Sequence, residues 1–202
     1  MKNRFEKAAT SPRSEAEQVL KEWGVPYQKQ PDGTLLVPGD LNISNKGLTR
    51  LPGLSCVSVT GDFSCATNQL TSLEGAPQSV TGDFSCSRNQ LTSLEHAPQT
   101  VGGGFFCSNN KLTSLKYAPQ SVGGYFTCSN NYLISLEGAP QKFQKLTSDF
   151  GDFSSWSEVP EEIRVSPATK ARLGKEREYA FAEGATVLQA PMKARAPLKL
   201  RL

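Results

Sequence analysis

Between residues 61 and 140 the chain repeats one phrase four times: GDFSCATNQLTSLEGAPQSVT, GDFSCSRNQLTSLEHAPQTVG, GGFFCSNNKLTSLKYAPQSVG and GYFTCSNNYLISLEGAP. The period is 21 residues throughout. Cys65, Cys86, Cys107 and Cys128 share one column, and Asn68, Asn89, Asn110 and Asn131 share another. A fixed period of this length specifies a solenoid, in which each unit buries its apolar face only against its neighbours.

The second copy shows how one unit works. Phe84 and Cys86 alternate with Asp83, Ser85 and Ser87, the period-two pattern of a strand with one buried face. After Asn89 the apolar spacing changes to Leu91 and Leu94, so the chain has turned. Pro77, Pro98, Pro119 and Pro140 then fall in one column. Proline fixes φ and lacks a donor, so the return segment is expected to be irregular or polyproline-like rather than helical. A buried amide is costly unless bonded. The asparagine column is therefore expected to form a ladder with backbone groups of its own and the adjacent turn.

The unit resembles the leucine-rich repeat, whose core is L-x-x-L-x-L-x-x-N-x-L. Here F-x-C-x-x-N-x-L-x-x-L occupies residues 63–73, 84–94, 105–115 and 126–136. The wording NQLTSL…P is similar to the short bacterial subtype of secreted ubiquitin-ligase effectors. It departs from that subtype by one inserted residue, the glycine at 61, 82, 103 and 124. It is more similar still to repeats of tailed-phage and prophage proteins, which also carry a lead-in like residues 37–52. That stretch reads as a divergent first repeat with Leu41, Ile43, Leu48 and Leu51 on the core columns. The resemblance covers about residues 39–145, roughly half the chain. It implies a parallel β-sheet on a concave face and carries no catalytic residue. The ligase effectors use a separate domain with a nucleophilic cysteine; no cysteine follows Asp149 here, so that activity is not expected.

Flanking segments are expected to cap the stack: an N-terminal cap over 1–38, the repeat solenoid over 39–150, and a C-terminal helix with a basic extended tail over 151–202. In the first, Ala16, Val19, Leu20 and Trp23 form a helical stripe over 14–23, with a Ser14/Glu17 capping box and Trp23 as the plug on the first repeat. A hairpin follows over 27–37 around Pro31-Asp32-Gly33. Beyond Pro140 the pattern fades through a degenerate strand over 146–153. A short helix over 157–165 and a better one from Ser166-Pro167 to about Glu183 follow. The end, 185–202, carries Lys193, Arg195, Lys199 and Arg201; it reads either as a free tail or as an arm that adds a strand to a partner.

Composition excludes more than it assigns. The net charge of +3 over 202 residues is too small to indicate nucleic acid. No apolar run is long enough for a membrane helix, and the N-terminus has no signal-peptide core, so the cytoplasm of a host cell, or a virion, is the expected location. Five cysteines at these spacings do not resemble zinc pairs. The four column cysteines read as small core residues. The alternative is a disulfide between neighbouring turns about 4.8 Å apart, at a poor torsion. His96, the one histidine, falls in a variable turn column with Gly75, Tyr117 and Gly138. The G-D-F phrase lacks the period and the sustained acids of calcium-binding repeats. No nucleophile elbow, phosphate loop or paired-carboxylate motif is present, so no catalytic residue, metal or cofactor is expected.

Solenoids bind through the outward positions of their strands. The first half of that face is small and acidic, with Asp62 and Asp83; the second gains Phe106, Tyr125 and Tyr132, with Arg88 beside them. Aromatic anchors on a serine-rich surface mark a protein-binding face. The expected function is therefore a non-enzymatic protein–protein interaction solenoid, phage or prophage encoded by resemblance. Its partner would be a host protein, such as a defence component. The alternative is a virion structural or accessory protein held by its N- and C-terminal arms. A small-molecule substrate is not expected.

Overall fold

The computed structural model describes residues 11–172; the 185–202 tail and the end of the last expected helix lie outside them. The chain divides into two units, 1–166 and 167–202. The second begins with helical residues 167–172. The first is a β-solenoid in which each turn contributes to two sheets. After helix α1 (Pro12–Glu22) come β1 (Gln28–Lys29), β2 (Leu35–Val37) and β3 (Leu41–Asn42). The repeats then alternate two kinds of strand. One kind precedes the glycine corner: β4 (Val57–Val59), β6 (Ser79–Val80) and β8 (Thr100–Val101). The other follows it: β5 (Phe63–Ser64), β7 (Phe84–Ser85), β9 (Phe105–Phe106) and β10 (Tyr125–Thr127). The chain closes with β11 (Lys145–Ser148), β12 (Gly151–Phe153), a 3-10 turn Trp156–Glu158 and α2 (Glu161–Arg164). One sheet runs β1-β2-β4-β6-β8; the other runs β12-β11-β10-β9-β7-β5-β3. The side expected to be irregular therefore contains a sheet of its own. Its strands are the valine column, where Val37, Val59, Val80 and Val101 pair in parallel and Val122 continues by a single bridge.

The interior is a set of stacked columns. Phe63, Phe84, Phe105 and Phe126 are fully buried, their rings stacked with centroids 5.4, 5.1 and 5.7 Å apart. Cys65, Cys86, Cys107 and Cys128 lie beside them, buried and free; no disulfide links the turns. In-register stacking of identical side chains places equal volumes over each other and leaves few voids. The asparagine column bonds as a ladder. Asn89 Nδ2 donates to Cys86 O at 3.0 Å and Cys65 O at 3.1 Å, and Asn89 Oδ1 accepts from Leu70 N–H at 3.0 Å. Asn68, Asn110 and Asn131 repeat the arrangement. Each amide thus ties its own turn to the preceding one.

Immediately before each ladder asparagine the backbone turns left-handed, at Thr67, Arg88, Asn109 and Asn130, and it does the same at Asn45 before Lys46 in the first turn, with φ between 54° and 58°. Asparagine tolerates this region; a β-branched residue does so only under strain. Thr67→Asn is accordingly expected to raise stability by about 1 kcal/mol, read as an upward shift of the urea midpoint at unchanged slope. A neutral or destabilising result would show that Thr67 is not strained.

The ends differ from the sequence-based expectation in detail. Helix α1 begins earlier than expected: Ser11 is the N-cap, its Oγ accepting from Ser14 N–H at 3.3 Å, with Pro12 in the first turn. The expected Ser14/Glu17 capping box does not form, because Ser14 lies within the helix; Glu17 is engaged elsewhere. Its carboxylate accepts from Lys29 Nζ at 2.9 Å and Arg13 Nε at 3.1 Å, and Lys29 foremost holds its pKa below the usual value. Ala16 and Leu20 are the buried residues of α1, while Trp23 is 40% exposed. Trp23 is the C-cap, where the helix has ended, so it does not plug the stack. Strands β1 and β2 pair antiparallel, and β2 also pairs with β4, placing Val37 in the valine column. At the other end the degenerate strand is a hairpin: β11 extends the parallel stack, and β12 returns antiparallel to it. The reversal passes through Asp149, Phe150 and Gly151 (φ 127°). The expected 157–165 helix is split at Pro160, which N-caps α2.

Candidate interaction face

The outer face of the seven-stranded sheet carries two main columns. Asn42, Ser64, Ser85, Phe106, Thr127 and Thr147 pair in register along one. Asp40, Asp62, Asp83, Gly104, Tyr125 and Lys145 follow one another along the other. The acids form a structural ladder. Asp40 Oδ1 accepts from Asp62 N–H at 2.8 Å, Asp62 Oδ1 from Asp83 N–H at 2.7 Å, and Asp83 Oδ1 from Gly104 N–H at 2.6 Å. Asp62 and Asp83 thus each commit one carboxylate oxygen to bracing the next turn. Hydroxyls bond across the other column, Ser44 with Ser64 at 2.7 Å and Ser108 to Thr127 at 3.2 Å.

The third copy of the repeated phrase breaks both columns at once, and the two changes are coupled. A Cβ on Gly104 would stand 2.8 Å from Cε2 and Cζ of Phe106, so the phenyl ring lies back across the glycine. The aspartate of the earlier turns would collide with it. Phe106 is half-buried there, and Tyr125, paired with Lys145 on the next strand, is 53% exposed beside it. Lys145 is held in turn by Asp152 at 2.7 Å, an ion pair that raises the lysine pKa and lowers that of the aspartate.

Phe106 and Tyr125 are therefore neighbours on one face, next to the top of the aspartate ladder. The other two residues expected to join them are elsewhere. Arg88 is exposed in the left-handed corner at the far end of its strand, at φ 56°. Tyr132 lies past the equivalent corner at Asn130, on the wall formed by the leucine segments, and is 66% exposed. On that wall sequence reasoning missed Ile134, which is 63% exposed. The signal was available: its column holds Thr71, Thr92 and Thr113.

His96 is an exposed turn residue at φ 68°. It borders a cleft of about 620 Å³ between α1 and the first leucine segments, lined also by Glu15, Arg50 and Glu74. The described residues hold no group of histidine, cysteine, aspartate and glutamate able to bind a metal. No helix among them is long and apolar enough to cross a membrane. No family model, curated protein or solved structure matches this chain.

Proposed function

We propose that this protein is a non-enzymatic interaction solenoid that binds a partner protein through the outer, concave face of its seven-stranded sheet. The observation that carries this is the ring of Phe106 laid over Gly104 beside the half-exposed Tyr125. A rigid aromatic platform on a surface of hydroxyls and carboxylates suits a buried anchor of a partner. A stacked, internally bonded sheet also loses little freedom on docking. The repeat phrase supports reading the unit as a leucine-rich repeat of the short bacterial and phage type. On that reading the partner is a host or virion protein.

The test restores the residues of the earlier turns: Phe106→Ser with Tyr125→Asp. Immobilised wild-type protein is expected to retain a bacterial protein that the double variant loses by at least about tenfold, with the far-UV spectrum of the variant unchanged. Equal retention by both would remove the strand face from consideration.

A further inference from the structure

Among the described residues, the C-terminal end of the solenoid leaves a repeated pair of hydrogen bonds unfinished. In each turn the first leucine after the left-handed corner bonds the next turn through both its backbone groups. Leu48, Leu70, Leu91 and Leu112 donate N–H to Oδ1 of Asn68, Asn89, Asn110 and Asn131, each at 3.0 Å. Their carbonyls accept from the residues after those asparagines, Gln69, Gln90, Lys111 and Tyr132, each at 2.8 Å. Leu133 is the next member of this series, and among the described residues no later turn supplies either partner. Asp149 takes the place of a following turn for Asn130 and Asn131, accepting their N–H groups at 2.8 and 3.3 Å. Farther along, the carbonyl of Ile163 accepts from Leu136 N–H at 2.6 Å. Between these two contacts, neither the N–H nor the C=O of Leu133 is hydrogen-bonded to a described residue.

The side chains around the gap change with it. Leu133 is half-buried where Leu70, Leu91 and Leu112 are fully buried. It is flanked by Tyr132 and Ile134, exposed by 66% and 63%, where the earlier turns carry Gln or Lys and Thr. An open backbone edge between two exposed apolar side chains is a site for strand addition, with main-chain bonds giving affinity and side-chain contacts giving selectivity.

We infer that this edge binds an extended segment of a partner protein that supplies the missing turn. The repeat itself defines the occupant. An asparagine places its amide oxygen on Leu133 N–H, the next residue donates its N–H to Leu133 O, and an aliphatic residue after that covers Leu133. Lys111, in the column of Tyr132 one turn earlier, is in no ion pair among the described residues and favours a carboxylate nearby on the same segment. A second copy does not offer this element from its own first turn, where α1 packs into the core. The site lies on a different wall from the proposed strand-face interface and is independent of it.

The probe is a fluorescein-labelled peptide with the sequence SRNQLTSL, that of residues 87–94. Saturable binding to the full chain is expected by anisotropy, with the Leu133 amide resonance moving on titration. The Asn→Ala peptide is expected to bind at least about tenfold more weakly. So is the original peptide to Tyr132→Gln with Ile134→Thr, residues that earlier turns carry in a folded state. Phe106→Ser with Tyr125→Asp is expected to bind the peptide as wild type does. Absence of saturation, equal binding of the Asn→Ala peptide, or a stationary Leu133 resonance would overturn the inference.

Discussion

Asn89→Ala is expected to cost about 4 kcal/mol or more, enough to unfold a domain at the lower end of ordinary stability. The side chain is 8% exposed and bonds four backbone groups, the carbonyls of Cys65 and Cys86, more distantly that of Ser87, and the N–H of Leu70. Alanine leaves the Leu70 N–H unpaired inside the stack, at about 1–3 kcal/mol, and removes one of two donors from each carbonyl, which Asn68 and Asn110 still serve, at about 1 kcal/mol each; it also adds a cavity. Asn89→Asp does not rescue: a carboxylate can accept from Leu70 but cannot donate to either carbonyl, and it buries a charge. Asn131→Ala removes the same kinds of bond where the ladder is only half-buried; water can replace them, and about half the loss is expected. A solenoid is held by nearest-neighbour interfaces, so the central substitution should also lower the slope of the urea transition as the two halves uncouple. A loss for Asn89→Ala within about 1 kcal/mol of zero would contradict the ladder as a source of stability.

The ladder was legible because it repeats: a column of four amides among apolar residues has few other physical solutions. What repeats more weakly was not legible. The second sheet is built from strands two or three residues long, too short for a period-two pattern to show. The left-handed corner was hidden because Thr67 and Arg88 occupy it without the glycine that would have announced it. The misassignment of Tyr132 follows from that omission, since the corner at Asn130 carries the chain off the sheet before Tyr132 is reached. Trp23 fits the helical stripe of α1, but the helix ends at Glu22. On the candidate face, the departures at Gly104 and Phe106 were each visible as a break in a column. Their coupling was not, because it depends on the rotamer that folds the ring back over the glycine.

Alkaline destabilisation is expected to be steep and to begin near pH 8.5, below the range in which exposed lysines and tyrosines titrate. Burial pushes the Cys65 and Cys128 thiols up to about 12 from 9.0 and holds Cys86 and Cys107 well above 9.0. Below about pH 8.5 both folded and unfolded chains keep these protons, and the thiols contribute no pH dependence. Above it the unfolded chain releases them while the folded one does not, so the unfolded state binds fewer protons and stability falls as pH rises. Each group costs about 1.4 kcal/mol per pH unit until its folded pKa is reached, and the four together cost about 5.5 kcal/mol per unit. A domain of ordinary stability would therefore lose its fold near pH 10–11 and recover it on return to neutrality. The Lys29–Glu17 and Lys145–Asp152 pairs bend the curve little, being at the surface. The thiol origin is checked by single substitution: Cys86→Ala lowers stability at pH 7 through lost packing, yet reduces the alkaline slope by about a quarter. Urea midpoints that stay flat between pH 8.5 and 10.5, or a slope that Cys86→Ala leaves intact, would mean that the buried thiols do not govern the alkaline limit.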